Sequence, residues 1–169
     1  MALTRLIARP MLATMFVYGG INALRNPDAM AKRAQPVTDR IAGFAERVAP
    51  DLPIPTDAKT MVRINAAVHI GAGLALATGR APRLAALVLA GTLVPTTFAG
   101  HAFWAEAEPA ARKAQSVHFA KNITMLGGLL TAAADTGGKP GLAWRARRAA
   151  RDVRREAKHL KREAKLAAH

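Results

Sequence analysis

The chain has 169 residues, with 25 Lys and Arg against 11 Asp and Glu for a formal charge of +14, yet 51% of its residues are hydrophobic. Its length suits one domain of roughly 100–200 residues, and so basic and so apolar a composition excludes an ordinary soluble domain unless charge and apolar residues are segregated along the chain. Zero cysteines exclude a disulfide framework, thiolate metal sites and cysteine redox chemistry. What remains is a membrane protein with basic ends or an Ala-rich helical nucleic-acid binder.

The placement of charge decides between them. Pro10–Leu24, Ile64–Thr78, Leu84–Phe103 and Asn122–Ala134 contain no Asp, Glu, Lys or Arg. A bilayer core of about 30 Å is crossed by about 20 apolar helical residues. Extended to their flanks, the four runs predict spans over 6–24, 61–79, 84–104 and 117–134. Helices of a soluble bundle would carry charges every third or fourth residue on their wet faces, and these do not. The expected fold is all-α: a four-transmembrane-helix bundle over 1–136, with an amphipathic outer loop helix and a basic C-terminal helical tail over 137–169.

In chain order, Arg5 and Arg9 flank the start of the first span. The charged Arg25-Asn26-Pro27-Asp28 segment before Ala29-Met30-Ala31 is wrong for signal cleavage, so the first helix is expected to be retained. After Pro36, Val37, Ile41, Phe44 and Val48 recur at helical spacing, which predicts a short amphipathic helix on the outer membrane surface. Pro50, Pro53 and Pro55 predict an extended link to the second span. There Ala67, Gly71, Ala75 and Gly79 stand at i+4 intervals, as do Gly127 with Thr131 and Gly128 with Ala132 in the fourth span; small residues predict contact faces between membrane helices. Arg80 and Arg83 fill the second turn, and Pro95 is expected to kink the third span and free the Gly91 carbonyl.

From Gly138 to His169, eleven bases oppose three acids, +8 of the whole charge. Ala146, Ala150, Val153, Ala157, Leu160, Ala164 and Ala167 form a thin stripe too slight for a strong coiled coil. Attraction to an anionic inner leaflet fits better, with Trp144 as anchor and Arg147, Arg148, Arg151, Arg154 and Arg155 as lipid contacts. No groove-reading motif accompanies the tail, so nucleic acid is disfavoured as a partner. The positive-inside rule places both termini in the cytoplasm and the chain in the cell (inner) membrane.

With that orientation Asn22, Arg63, Asn65, His69, His101, His118, Lys121 and Asn122 all fall in the outer half. Ionisable groups in a bilayer are costly and mark sites. Arg63, Asn65, His69, His101, His118, Lys121 and Asn122 are therefore the candidate ligand-binding cluster. The plain alternatives are interfacial anchoring for His101 and Trp104 and snorkelling for Arg63 and Lys121. No HxxxH or HxxE spacing supports a metal site, and no catalytic constellation is present.

Gly100-His101-Ala102-Phe103-Trp104, an acidic and Gln-containing loop, and His118-Phe119-Ala120-Lys121-Asn122-Ile123-Thr124-Met125-Leu126-Gly127-Gly128 resemble the DoxX family, as does the opening from Arg9-Pro10-Met11 through Gly19-Gly20. The resemblance covers about residues 5–135, with the fourth-span segment its most specific part. It implies a four-helix integral membrane protein linked to redox or oxidative-stress functions. The chain carries no cysteine and no haem, flavin or nicotinamide motif, so electron transfer falls to partners. Three readings follow. One is an accessory or scaffold subunit of a membrane redox system, in which His69, His118 and Lys121 bond the carbonyl oxygens of a quinone-like head group. The others are a purely structural membrane scaffold and a small-molecule transporter. Soluble or membrane redox enzymes and a second copy of the chain are the partners these readings imply, with quinone the only cofactor.

Overall fold

The computed structural model describes residues 2–51, 53, 55–138 and 140–167. Lys139 and His169 of the tail lie outside the described residues, as do the side chains of Ala164 and Ala167. Among the described residues there are helices and connecting turns and no strand. The chain divides into two units, Met1–Ala134 and Asp135–His169.

Within the first unit, α1 runs Ala2–Arg25 and stops because Asn26 precedes Pro27, a position sterically biased away from helical backbone. The Asn26 amide reaches back to Asn22 Oδ1 at 3.0 Å. Pro27 opens α2, Pro27–Val48, at the position where a missing N–H costs nothing. α3 spans Ala58–Ala77, and Asp57 caps it by accepting the Thr60 N–H at 2.7 Å. That bond holds the Asp57 carboxyl below the usual carboxylate range. A tight turn follows, with Gly79 at φ +72° and Ala81 at φ +47°, before α4, Pro82–Gly100. A 3₁₀ turn at Phe103–Ala105 leads to α5, Pro109–Ala134, whose start is capped by Glu108 accepting the Ala111 N–H at 2.7 Å.

Two expectations about these elements change. The loop helix is longer than the stretch read from Pro36, and it packs on α3 and α4. Met30, Ala34, Val37 and Ile41 make one continuous helical stripe into which Thr38 is buried, although Ile41 at its end is exposed, and Phe44 and Val48 more so. The interleaved Asp28, Lys32 and Arg33 disguise its first two turns as loop. The fourth helix begins at Pro109 rather than 117, since Arg112 and Lys113 ride on its first turns.

Among the described residues two helices, α3 and the Pro82–Ala105 segment containing α4, are long and apolar enough to cross a membrane. Arg9 and Asn22 dilute α1, and His118, Lys121 and Asn122 dilute α5, so these two expected spans are less apolar than α3 and α4.

α1 packs chiefly on α3, α3 on α4 and α4 on α5, with a short α1–α5 contact closing the ring. One half of the bundle is solidly filled by Ala13, Leu76, Ala86, Leu89, Leu129 and Ala133. Beside it, Arg83 Nε donates to the Ala133 carbonyl at 2.8 Å and occupies an acceptor at the end of α5. The closest helix approach is α1 on α3: a Cβ on Gly20 would stand 2.8 Å from the Ala66 carbonyl oxygen, and one on Gly73 would stand 2.9 Å from Val17 Cγ2. The inward face of α3 is therefore Ala66, His69, Gly73 and Leu76. The expected contact stripe turns mostly outward, with Ala67, Gly71 and Gly79 exposed and nothing near Gly71 or Gly127, and only Ala75 of it packs against the core. Gly128 does approach α1, at 3.3 Å from Leu12 Cδ1.

The second unit is α6, Leu142–Ala167. Its apolar Val153 and Leu160 are exposed, the Arg148 guanidinium sits 5.2 Å over the half-exposed Trp144 ring, and Arg148 pairs loosely with Asp152 at 3.9 Å.

Candidate functional site

The other half of the bundle, where α1 ends and α3 begins, holds a cavity of about 580 Å³. Phe16 and Leu93, core residues of the packed half, also line it. α1 contributes Gly19, Gly20 and Asn22, α2 its Met30–Ile41 stripe, α3 Asn65 and His69, α4 Thr92, Pro95 and Thr96, and α5 Asn122 and Met125. The lining is mostly apolar, with polar groups concentrated where α3 and α5 meet α4.

Those polar groups share one construction. Thr92, Thr96 and Thr97 bond back to the Val88, Thr92 and Leu93 carbonyls at 3.0, 2.7 and 2.7 Å. Each hydroxyl proton is thereby committed to the helix backbone, and the oxygen is left to accept. His69 Nε2 meets Thr92 Oγ1 at 3.0 Å, Asn65 Nδ2 meets Thr96 Oγ1 at 3.2 Å, and Asn122 Nδ2 meets Thr97 Oγ1 at 3.0 Å. The His69 ring is further held edge-on against Phe16, 5.3 Å between centroids. No buried side-chain polar atom lacks a partner among the described residues.

The sequence-read cluster divides here. Asn65, His69, His101 and Asn122 line the cavity. Arg63, His118 and Lys121 do not, and all three are exposed. Arg63 instead adds to the positive field on Asp28 of α2. His101 Nδ1 lies 2.8 Å from Gln115 Oε1, and its ring stacks on His118 at 5.1 Å. Thus His118 and Lys121 are not placed to bond a head group in the cavity. Beyond this rim Trp104 packs with Phe98, Phe103 and Phe119 and remains 52% exposed, as an interfacial anchor would.

Sequence reasoning missed the threonine partners and the contribution of α2, including Arg33 and Thr38. The signal for the former was available: Asn65 and His69 are four apart on one helix, and Thr92 and Thr96 are four apart on the next.

The family model described as DoxX matches residues 4–102, more than half of the chain. It covers α1 through α4 and ends before the α5 segment that looked most specific in the sequence. No curated protein and no solved structure matches significantly.

Proposed function

This chain belongs to the DoxX family, and from that premise we propose that it is a four-span integral membrane protein acting as an accessory or scaffold subunit of a membrane-associated redox or oxidative-stress system, with the cavity receiving a quinone-like head group. The observation that carries the reading is the pairing of a roomy, mostly apolar cavity with a short polar wall at one end of the bundle. Small-molecule sites are commonly of this size and make-up. The apolar lining suits a ring and its tail, and His69 with the two asparagines suits the head.

Four spans are supported by the outward faces. Met11 and Tyr18 on α1, Leu74 on α3, Leu87 on α4, and Ile123 and Leu130 on α5 are all about half exposed or more. So continuous an apolar surface on all four helices would be a liability in water and is what lipid favours. The basic excess of the tail and of the Arg80–Arg83 turn supports an inner-membrane protein with both termini in the cytoplasm. The arginines of α6 then lie against anionic lipid, at about 1 kcal/mol per basic residue near the surface. Electrons and catalytic chemistry come from a soluble or membrane oxidoreductase partner.

A purely structural scaffold is the competing reading, favoured by the same side chain–threonine bonds, which fasten α3 and α5 to α4. The two separate on extraction. Lipids and quinones co-purifying with the detergent-solubilised chain are measured by mass spectrometry, wild type beside His69→Ala. About one quinone per chain, lost from a variant that is still folded, is the expected result. Wild type devoid of quinone, with stability alone changed in the variant, would leave the scaffold.

A further inference from the structure

One charged residue lines the cavity. Arg33 of α2 stands there among amides, hydroxyls, imidazoles and apolar side chains, and the lining includes no Asp or Glu. Among the described residues Arg33 makes no ion pair and no hydrogen bond. The acids of this region are engaged elsewhere. Asp28 of the same helix pairs with Lys59 of α3 at 2.7 Å, and Arg63 and Lys32 add to the positive field on it. Asp57 accepts the Thr60 N–H, and Asp39 is exposed and outside the cavity. Where α2 meets α3, bases therefore outnumber acids, and the one that reaches the cavity is unpaired.

Arg33 is also exposed, so it belongs to the opening of the cavity and not to its depth. An arginine in this position lays its apolar stem along the lining and keeps the guanidinium at the water or head-group level. The planar guanidinium matches carboxylate and phosphate oxygens in pairs. Resting on the reading of the cavity as a ligand site, we propose that it takes a single-chain amphiphile with an anionic head, the chain against the apolar lining and the carboxylate or phosphate on Arg33. The volume of about 580 Å³ suits one small amphiphile. Charge complementarity then sets the selection: a neutral head on the same chain leaves Arg33 unpaired, and no acid of the lining is there to repel an anion. Binding requires no electron transfer by this chain, and none is assigned to it.

The test uses the full-length chain in nanodiscs of zwitterionic lipid, so that no net anion competes. Three probes share one alkyl chain carrying a diazirine and differ in the head: a carboxylate, a phosphate monoester and an alcohol. After photolysis the labelled positions are mapped by mass spectrometry, with the outward-facing Met11 as the reference for labelling from the bilayer. The anionic probes are expected to label Met30, Val37 and Met61 of the lining about three- to fivefold above the alcohol, as an exposed ion pair provides. Arg33→Gln is expected to bring that ratio to about one and Arg33→Glu to reverse it. Arg40→Gln removes an exposed charge of the same helix outside the cavity and is expected to leave the ratio unchanged. No excess over the alcohol in wild type, an excess that survives Arg33→Glu, or one lost equally in Arg40→Gln would overturn the proposal. The stronger of the two anionic heads names the source, carboxylate or phosphate. Quinone on extraction without any anionic preference would remove the anion site alone. The preference in a chain free of quinone would remove the quinone from the proposed function and leave the anion site standing.

Discussion

His69 Nε2 on α3 lies 3.0 Å from Thr92 Oγ1, the same oxygen whose proton is held by the Val88 carbonyl of α4. A buried imidazole is thus oriented by the backbone of the neighbouring helix through a single hydroxyl. Its consequences can be tested without a ligand. Thr92→Val keeps the shape of the side chain but leaves a buried ring N–H without an acceptor, which costs about 1–3 kcal/mol. Thr92→Ser retains the hydroxyl and is expected to cost less. Unfolding of both variants in detergent, followed by circular dichroism, checks the order; a valine variant as stable as wild type would mean that the bond contributes nothing to the fold.

The α1–α3 approach makes a second prediction, at two adjacent glycines. An added methyl at Gly20 meets a backbone oxygen at 2.8 Å and Ile70 Cγ1 at 2.7 Å, whereas at Gly19 it meets nothing within 4 Å. The carbonyl cannot swing aside as a side-chain tip can. Gly20→Ala is therefore expected to destabilise by about 1–3 kcal/mol, as overpacking does. Gly19→Ala is expected to be neutral or to stabilise by about 0.4–1 kcal/mol through the unfolded chain. The two thermal unfolding curves, one each side of wild type, are the check.

That contrast also marks how far the sequence is legible. Charge-free runs located α1, α3, α4 and α5, because excluding charge from a whole stretch is a one-dimensional property. Which face of each helix turns inward is a different matter. In a water-soluble bundle the apolar stripe marks the inner face, but here both faces are apolar, and Ala67, Gly71 and Gly79 of the regular series are exposed, with only Ala75 packed against the core, while Ala66, His69, Gly73 and Leu76 face in. The same ambiguity separated neighbours on α5: Asn122 is buried against Thr97, and Lys121, one residue and about 100° away, is exposed. The polar end of the bundle was readable from Asn65 and His69. Their partners left only the matching four-residue spacing of Thr92 and Thr96 as a signal, since threonine satisfies itself on its own helix and so carries little positional information.

The third prediction concerns α2, which walls one side of the cavity and is tied to α3 by Asp28 and Lys59, 2.7 Å apart. The hydrogen bond to Lys59 and its charge hold the Asp28 carboxyl below the usual carboxylate range, with Arg63 and Lys32 adding to the field. A carboxyl whose folded pKa is depressed stabilises the fold above its unfolded value, and that contribution disappears as the pH falls through the folded one. The tie is therefore intact from neutral pH down to about pH 4 and is lost below it. Both partners are substantially exposed, so the effect is a few-fold at most. Hydrogen-exchange protection factors for α2 amides should fall on acidification in wild type and be low and less pH-dependent in Lys59→Met. Equal acid sensitivity in both proteins would assign the loosening to other carboxylates.

The fourth prediction addresses the membrane arrangement itself, and the absence of native cysteine makes it direct. Among the described residues two helices satisfy the length and apolarity needed for crossing on their own, and the exposed apolar faces of α1 and α5 support four crossings. The alternatives differ in which segments share a side. With four crossings, Leu3→Cys and Pro50→Cys lie on opposite sides, and so do Ala107→Cys and Gly138→Cys. With crossings by α3 and α4 alone, α1 never traverses the bilayer and each pair shares a side. Labelling by an impermeant maleimide in sealed, oriented vesicles reads this out one cysteine at a time. We expect Leu3→Cys and Gly138→Cys to react only after the cytoplasmic face is opened, and Pro50→Cys and Ala107→Cys to react from outside. Matched labelling within either pair would place its helix, α1 or α5, along the surface, and with it the cavity wall that this helix supplies.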